Sequence, residues 1–299
     1  MSARSLARGI IEACLVRGGI ARAARQARAG DVAILSYHNI VAPADAGYGD
    51  ASLHLPLPQF LAQVEALSRT HDFIDLDDVG KPHAGRRIRA VITFDDAYRG
   101  AVQLALPELI RRGIPAVVFV APGLLQARST WWDQLAAADR LTGSQRNHAL
   151  VNMAGRGEAI TAHAFSGGQI PDLPPSYGIA SIHELLAGCG SEIAIGSHSW
   201  GHEYLPALDE SELRRNLEQA RAWVAANAPR PCNWLALPYG GGNAEVSRTA
   251  LDVGHAGVLR IEGGLCGTRF NPGAVPRINV PSGMSERGLV LRASGVIDR

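Results

Sequence analysis

The sequence predicts an α/β protein whose parallel strands are covered by helices. Apolar runs such as RAVITFDD and IPAVVFVAPG are near-continuous rather than alternating, as expected of strands buried on both faces. They alternate along the chain with segments of helical periodicity, the order that builds βα units. A length of 299 residues suits two average domains or a single α/β barrel of ~250 residues.

From residue 31, DVAILSYHNI is a strand candidate. LPQFLAQVEALSRT sets Phe60, Val64 and Leu67 four and three apart behind a proline suited to a helix start, and reads as a helix. RAVITFDD is a strand, GAVQLALPELIRRG a helix closed by Gly113, and IPAVVFVAPG a further strand. Residues 128–181 break the rhythm. STWWDQLAAADRLTG has a helical pattern but FSGGQIPDLPPSYG is rich in Gly and Pro, and the segment is expected to form an excursion over one end of the sheet. Alternation resumes with SEIAIGSHSWGH (strand, loop), ESELRRNLEQARAWVAAN (helix), PCNWLALPYGGGN (strand, loop) and AEVSRTALDVG (helix). Two short strands are expected near the end, around 257–260 and 274–280.

The first 30 residues carry Arg4, Arg8, Arg17, Arg22, Arg25 and Arg28, with Leu6, Ile10, Ile11, Cys14 and Leu15 at helical spacing. A basic amphipathic helix is expected over residues 1–30, packing on the domain or making weak contact with an anionic membrane surface. Its apolar residues are interrupted by Gly9, Glu12 and Gly18–Gly19, which argues against a secretory signal peptide. No run of ~18 apolar residues marks a membrane-spanning helix. The expected location is cytoplasmic, at most peripheral to the inner face of the membrane.

Apolar content of 46% and charged content of 19% are those of a folded globular protein. A net charge of +1 lacks the footprint of a nucleic-acid partner. The cysteines Cys14, Cys189, Cys232 and Cys266 form no CxxC pair, so four isolated buried thiols are expected rather than a zinc knuckle or redox dithiol.

Three expected strand ends carry the chemistry-bearing residues: Asp95–Asp96, His198 with His202, and Pro238–Tyr239. Sites of parallel α/β proteins assemble at the C-terminal ends of strands, so the three should share one rim. A spacing of four in HSWGH lets two imidazoles converge on one ion. Two histidines and one aspartate suit a zinc-like divalent metal and leave a coordination position open, the mark of a catalytic site. A His pair alone is more often decoration, and an Asp pair alone could cap a helix. Together they favour a metal centre.

TFDD, followed by SHSWGH, resembles the first two motifs of the polysaccharide deacetylases, the NodB-homology or carbohydrate esterase family four, along residues 31–283. The resemblance implies a distorted (β/α)7-type barrel that removes N-acetyl groups from an amino sugar. It implies Asp95 as base and Asp96, His198 and His202 as ligands of a divalent metal, zinc first, with cobalt or manganese as alternatives. LALPYGGGN resembles the third motif, with Pro238 and Tyr239 on a groove wall and the Tyr239 N–H facing the oxyanion. The arginine usual two residues before that proline is Ala236 here, and Arg277 in VPRINV is the expected substitute for orienting the base. No histidine follows Arg277, whereas ILSYHNI resembles the Leu-x-Tyr-His strand of a permuted branch that deacetylates poly-N-acetylglucosamine; His38 is then the expected general acid.

Trp200, inside the histidine loop, is the first candidate for a sugar platform, while Trp131 and Trp132 serve either sugar contact or packing of the excursion. Asp133 beside them has no assigned role. The expected partner is an N-acetylated sugar on a nucleotide, lipid or small glycoside. The rival readings are an idle carbohydrate-binding protein on the same fold and an O-acetyl esterase or other linear amide hydrolase.

Overall fold

The computed structural model describes residues 9–297 apart from Ile10, Arg17, His83 and Arg86. Eight strands form a nearly closed parallel barrel ringed by helices: β1 (Val32–Tyr37), β5 (Ile88–Phe94), β6 (Ala116–Val120), β7 (Ala194–Ser197), β8 (Pro231–Ala236), β9 (Gly257–Arg260), β10 (Val275–Pro276) and β11 (Ile278–Asn279). Their order is β10-β9-β8-β7-β6-β5-β1-β11. The two edges, β10 and β11, are separated in the chain by Arg277 alone, so one interrupted strand touches both ends of the sheet. Counted as one, it leaves seven strand positions around the ring, the distorted (β/α)7 architecture. Three short strands lie off this path: β4 (His71–Phe73) pairs with β5, and β2 (Asn39–Val41) with β3 (His54–Pro56).

Period-two alternation sorts the strand residues. Val32, Ile34, Val91, Val117, Phe119, Trp234, Leu259 and Val275 form one buried cluster inside the ring. Their neighbours Ala33, Leu35, Tyr37, Ile92, Phe94, Val118, Val120 and Ile195 pack outward against the helices, among them α2 (Leu57–Ser68). Gly196 is required for this packing: a Cβ there would lie 2.4 Å from the Phe119 ring.

Several helices match their sequence windows, notably α3 (Leu106–Arg111), α8 (Glu210–Asn227), capped by the Asp209 carboxylate, and α9 (Ala244–Asp252), capped by Asn243. The excursion is more helical than its composition suggests. It contains α4 (Trp131–Ala137), α5 (Gly143–Val151) and α6 (Gly157–Ala164), and α7 (Ile182–Cys189) returns the chain to β7. A capping box at Thr142, reciprocated by Gln145, starts α5.

The N-terminal region differs from its expectation. Residues 1–8, with Leu6, lie outside the described residues, as does Ile10. Residues 11–16 are helical, but the chain then turns at Gly18–Gly19, where Gly19 has φ 79°, before α1 (Ile20–Ala27). Ile11, Ile20 and Cys14 are exposed, whereas Glu12 is buried and receives the Ser285 hydroxyl of α10 (Glu286–Ala293) at its N-terminal cap. So three of the four thiols are buried, not four. No helix among the described residues is long and apolar enough to cross a membrane.

Candidate active site

Alternation along β5 carries Val91, Thr93 and then Asp95 into the ring. Asp96 would face outward, but the strand stops at Phe94 and the backbone turns left-handed at Asp96 (φ 70°) and Ala97 (φ 57°), which brings both carboxylates to one rim. Ser199 (φ 65°), His202 (φ 60°) and Tyr239 (φ 58°) share this unusual conformation, so strained backbone concentrates here. Asp95 is clamped in two-pronged fashion by Arg277, Nη1 to Oδ1 at 2.7 Å and Nη2 to Oδ2 at 2.8 Å. The Ser36 hydroxyl adds a third bond at 3.2 Å. Arg277 is fully buried, at the junction that closes the barrel, with Thr93 and the Phe119 ring beside it. Burial alone would raise the Asp95 pKa, but the guanidinium, helped by His198 and His38, more than offsets it and holds the carboxyl below its ordinary value.

Asp96, His198 and His202 are buried together, with ligand atoms within 4.8 Å of one another. His198 Nδ1 lies 2.8 Å from the Ala236 carbonyl, which can only accept, so that nitrogen carries the proton and Nε2 presents a lone pair. Nε2 of His198 and of His202 lie 3.4 and 2.9 Å from Asp96 Oδ1. Neither approach has hydrogen-bond geometry, and Asp96 Oδ1 is left without a hydrogen-bond partner. Buried acceptors crowded around one point are unfavourable unless a cation lies among them. The donor set therefore fits a divalent metal. For His198, burial lowers the pKa but Asp95 and Asp96 overcome it and raise the group above its ordinary value. The field that attracts a proton there would attract a metal ion too.

These groups open on a cleft of about 270 Å³, also lined by His38, Trp132 and Tyr239. His38 follows the last residue of β1. Burial, helped by Arg277 and His198, outweighs the pull of Asp95 and Asp96 and lowers its pKa. Tyr239 sets its ring edge-on against His202 at 4.5 Å, and its hydroxyl accepts from Trp131 Nε1.

A model of the family described as polysaccharide deacetylase matches residues 84–258. The chain belongs to the polysaccharide deacetylase family. It is thus a hydrolase of N-acetyl sugars, acting on carbon–nitrogen bonds other than peptide bonds. The fold of this deacetylase is shared by a Streptococcus pyogenes deacetylase, PplD, solved with acetate, at 14% identity over 88% of this chain and 98% of that one, with a TM-score of 0.62. IcaB from Ammonifex degensii aligns at 16% identity over 89% and 98% of the two chains, with a TM-score of 0.60. The BpsB deacetylase domain from Bordetella bronchiseptica does so at 17% identity over 84% and 96%, with a TM-score of 0.52. No curated protein sequence matches the chain.

In this deacetylase the structure brings Asp95, Asp96, His38, His198, His202, Tyr239 and Arg277 together. Trp200 does not join them. Its N–H is held by Asn216 of α8 and its carbonyl by Gly123, and it is not among the cleft's lining residues, so it braces the histidine loop rather than offering a platform. Pro238 is likewise buried outside the cleft lining, where it shapes the turn that presents Tyr239. Trp132 packs on His202 at 4.8 Å and lines the cleft, while Trp131 lines an adjoining cavity of about 480 Å³; both are 3% exposed, which makes them wall first and contact surface second. Sequence reasoning missed Asp50, Ser52, Arg146 and Asn279, all in the cleft wall. No local motif marks them, because the loop after β2, the excursion and β11 meet only in the fold.

Proposed function

We propose that this deacetylase is metal-dependent and removes the acetyl group from an N-acetylhexosamine on a small glycoside, lipid or nucleotide carrier, releasing acetate. The observation that carries the reading is the Arg277-clamped Asp95 in the same cleft as Asp96, His198 and His202, three buried groups whose ligand atoms converge within 4.8 Å. A divalent ion, zinc above all, held by Asp96, His198 and His202 would supply Lewis acidity, polarising the acetyl carbonyl and making a water nucleophilic near neutral pH.

The chain's own groups do the rest. Asp95, kept ionised by Arg277, accepts the proton of the attacking water. The Tyr239 N–H, turned by a left-handed backbone, faces the oxygen on which charge develops, a contribution of about 3 kcal/mol where such donors have been removed elsewhere. His38, whose pKa burial lowers, takes a proton from solvent as negative charge grows beside it and passes it to the departing nitrogen, and Asp95 gives the proton it accepted back to solvent once acetate has left. Retention of a clamped base disfavours an idle binding protein, since binding alone needs no base. The exposed Ile11 and Ile20, in an arginine-rich stretch of sequence, support a cytoplasmic location with weak membrane-surface contact through the N-terminal residues.

Acetate release across UDP-linked, lipid-linked and oligomeric N-acetylhexosamines, with an O-acetylated sugar as control, tests the reading. Release from at least one N-acetyl substrate is expected, and release from the ester alone would contradict it. His38→Ala should slow turnover by about 10²-fold or more with bound metal unchanged. Near-normal turnover would place the acid elsewhere.

A further inference from the structure

One ion pair in the cleft is used by neither the metal triad nor the proton-transfer groups. Asp50 lies on the loop between β2 and β3, Arg146 on α5 of the excursion, and Arg146 Nη2 donates to Asp50 Oδ2. Both side chains line the cleft that holds Asp95 and Asp96. The guanidinium makes no second side-chain hydrogen bond among the described residues, so it has donors to spare.

Asp50 is built in from below. Its Oδ1 accepts from the Ser52 hydroxyl at 2.7 Å, and its own N–H donates to Asp133 Oδ1 at 2.8 Å. Asp133 is fully buried and also accepts from the hydroxyls of Tyr98 (2.8 Å) and Thr130 (2.9 Å) and from His54 Nε2 (2.8 Å). The Asn39 amide donates to His54 Nδ1, which leaves the imidazole proton on Nε2, directed at Asp133. A buried carboxylate is tolerated only when donors satisfy it. These donors come from β3, from the segment after Asp96, from the start of α4 and from the Asp50 loop, so one carboxylate ties the rim of the cleft to its floor. The approach is close enough to require glycine at position 49, where φ is +58° and a Cβ would sit 2.5 Å from Asp133 Oδ1.

We propose that Asp50 and Arg146 form a specificity site that reads two neighbouring ring hydroxyls of the acetylated sugar, with Asp133 as the positioning residue beneath it. The proposal rests on the deacetylase reading of the cleft. The carboxylate accepts from one hydroxyl while the guanidinium donates to the next, both as charge-assisted bonds. A paired carboxylate and guanidinium carry no net charge, which matches a neutral diol better than a phosphate. The pair is held in place before substrate arrives, so little side-chain ordering opposes binding.

The test uses the zinc-loaded full chain with methyl N-acetyl-β-glucosaminide and its 3-deoxy and 4-deoxy analogues, read by calorimetric binding and by acetate release. Arg146→Gln and Asp50→Asn should each weaken binding of the parent sugar about 10-fold. KM should rise while kcat stays within about threefold. At least one deoxy analogue should bind the unaltered protein correspondingly less well and lose little more in either variant, and Asp133→Asn should show the same deoxy-dependent pattern. Equal losses on all three sugars, unchanged binding, or no binding of the parent sugar by the unaltered protein would overturn the proposal. If Asp133→Asn does not fold, the two rim variants decide it alone. Binding without acetate release from any substrate would refute the deacetylase reading, and the deoxy comparison would still decide the hydroxyl site.

Discussion

Replacing Arg277 by methionine is expected to slow acetate release by about 10²-fold or more and to destabilise the fold by about 3–5 kcal/mol. The physical reason for both effects is the same. Arg277 is completely buried and makes both prongs of its clamp to Asp95, so its removal leaves a carboxylate inside the barrel without its hydrogen-bonded counter-charge. Burial would then raise the Asp95 pKa, and a protonated Asp95 cannot accept a proton. Arg277→Lys restores the charge but not the planar fork, so it should recover more stability than activity. The double variant Arg277→Met with Asp95→Asn should regain much of the lost stability and none of the activity, because it removes the unpaired charge along with the base. Denaturant midpoints and turnover measured on the same preparations check this. A methionine variant as stable and active as the parent would show that the clamp is incidental.

The second large effect concerns Asp96. If its carboxylate were structural, Asp96→Asn should cost stability; if it is a ligand, the cost should appear in metal affinity. Asp96 Oδ1 has no hydrogen-bond partner to lose and faces two imidazole nitrogens. Asp96→Asn is therefore expected to cost the metal-free protein only the carboxylate's charge attraction to His198 and His202, with the main effect in metal affinity. It should weaken metal binding by more than the ~10–100-fold that losing a group behind a ligand costs. Acetate release should fall with occupancy. Metal content after dialysis, thermal unfolding of the stripped protein and turnover separate the two roles.

Those parts of the site that depend on local sequence are legible in the sequence itself. TFDD ends a strand and HSWGH spaces two ligands within one loop, so each could be found without knowing what it met. Arg277 could be named only as a replacement for the arginine absent at Ala236, because its position at the barrel closure depends on β9 and β1 flanking it from opposite sides. Asp50, Arg146 and Asp133 were not legible as a group, since their meeting depends on how the excursion lies over the β2–β3 loop. The same limit explains the missed elements. Strands β2, β3 and β4 have three residues each, too few to show a period, and α10 buries Gly288, Leu289, Val290 and Leu291 in succession, which hides its amphipathic stripe. For Trp200, closeness in sequence to two ligands does not become closeness in space. The loop that turns His202 inward fastens Trp200 to α8 and to Gly123.

The central claim is that the triad holds a divalent ion on which deacetylation depends. It is tested most directly by measuring acetate release from one N-acetylhexosamine substrate by the unaltered protein before chelation, after complete removal of metal, and after titration with zinc. The account predicts loss of release on stripping and its return in proportion to zinc bound, saturating at one ion per chain. Release that persists in fully stripped protein would contradict it.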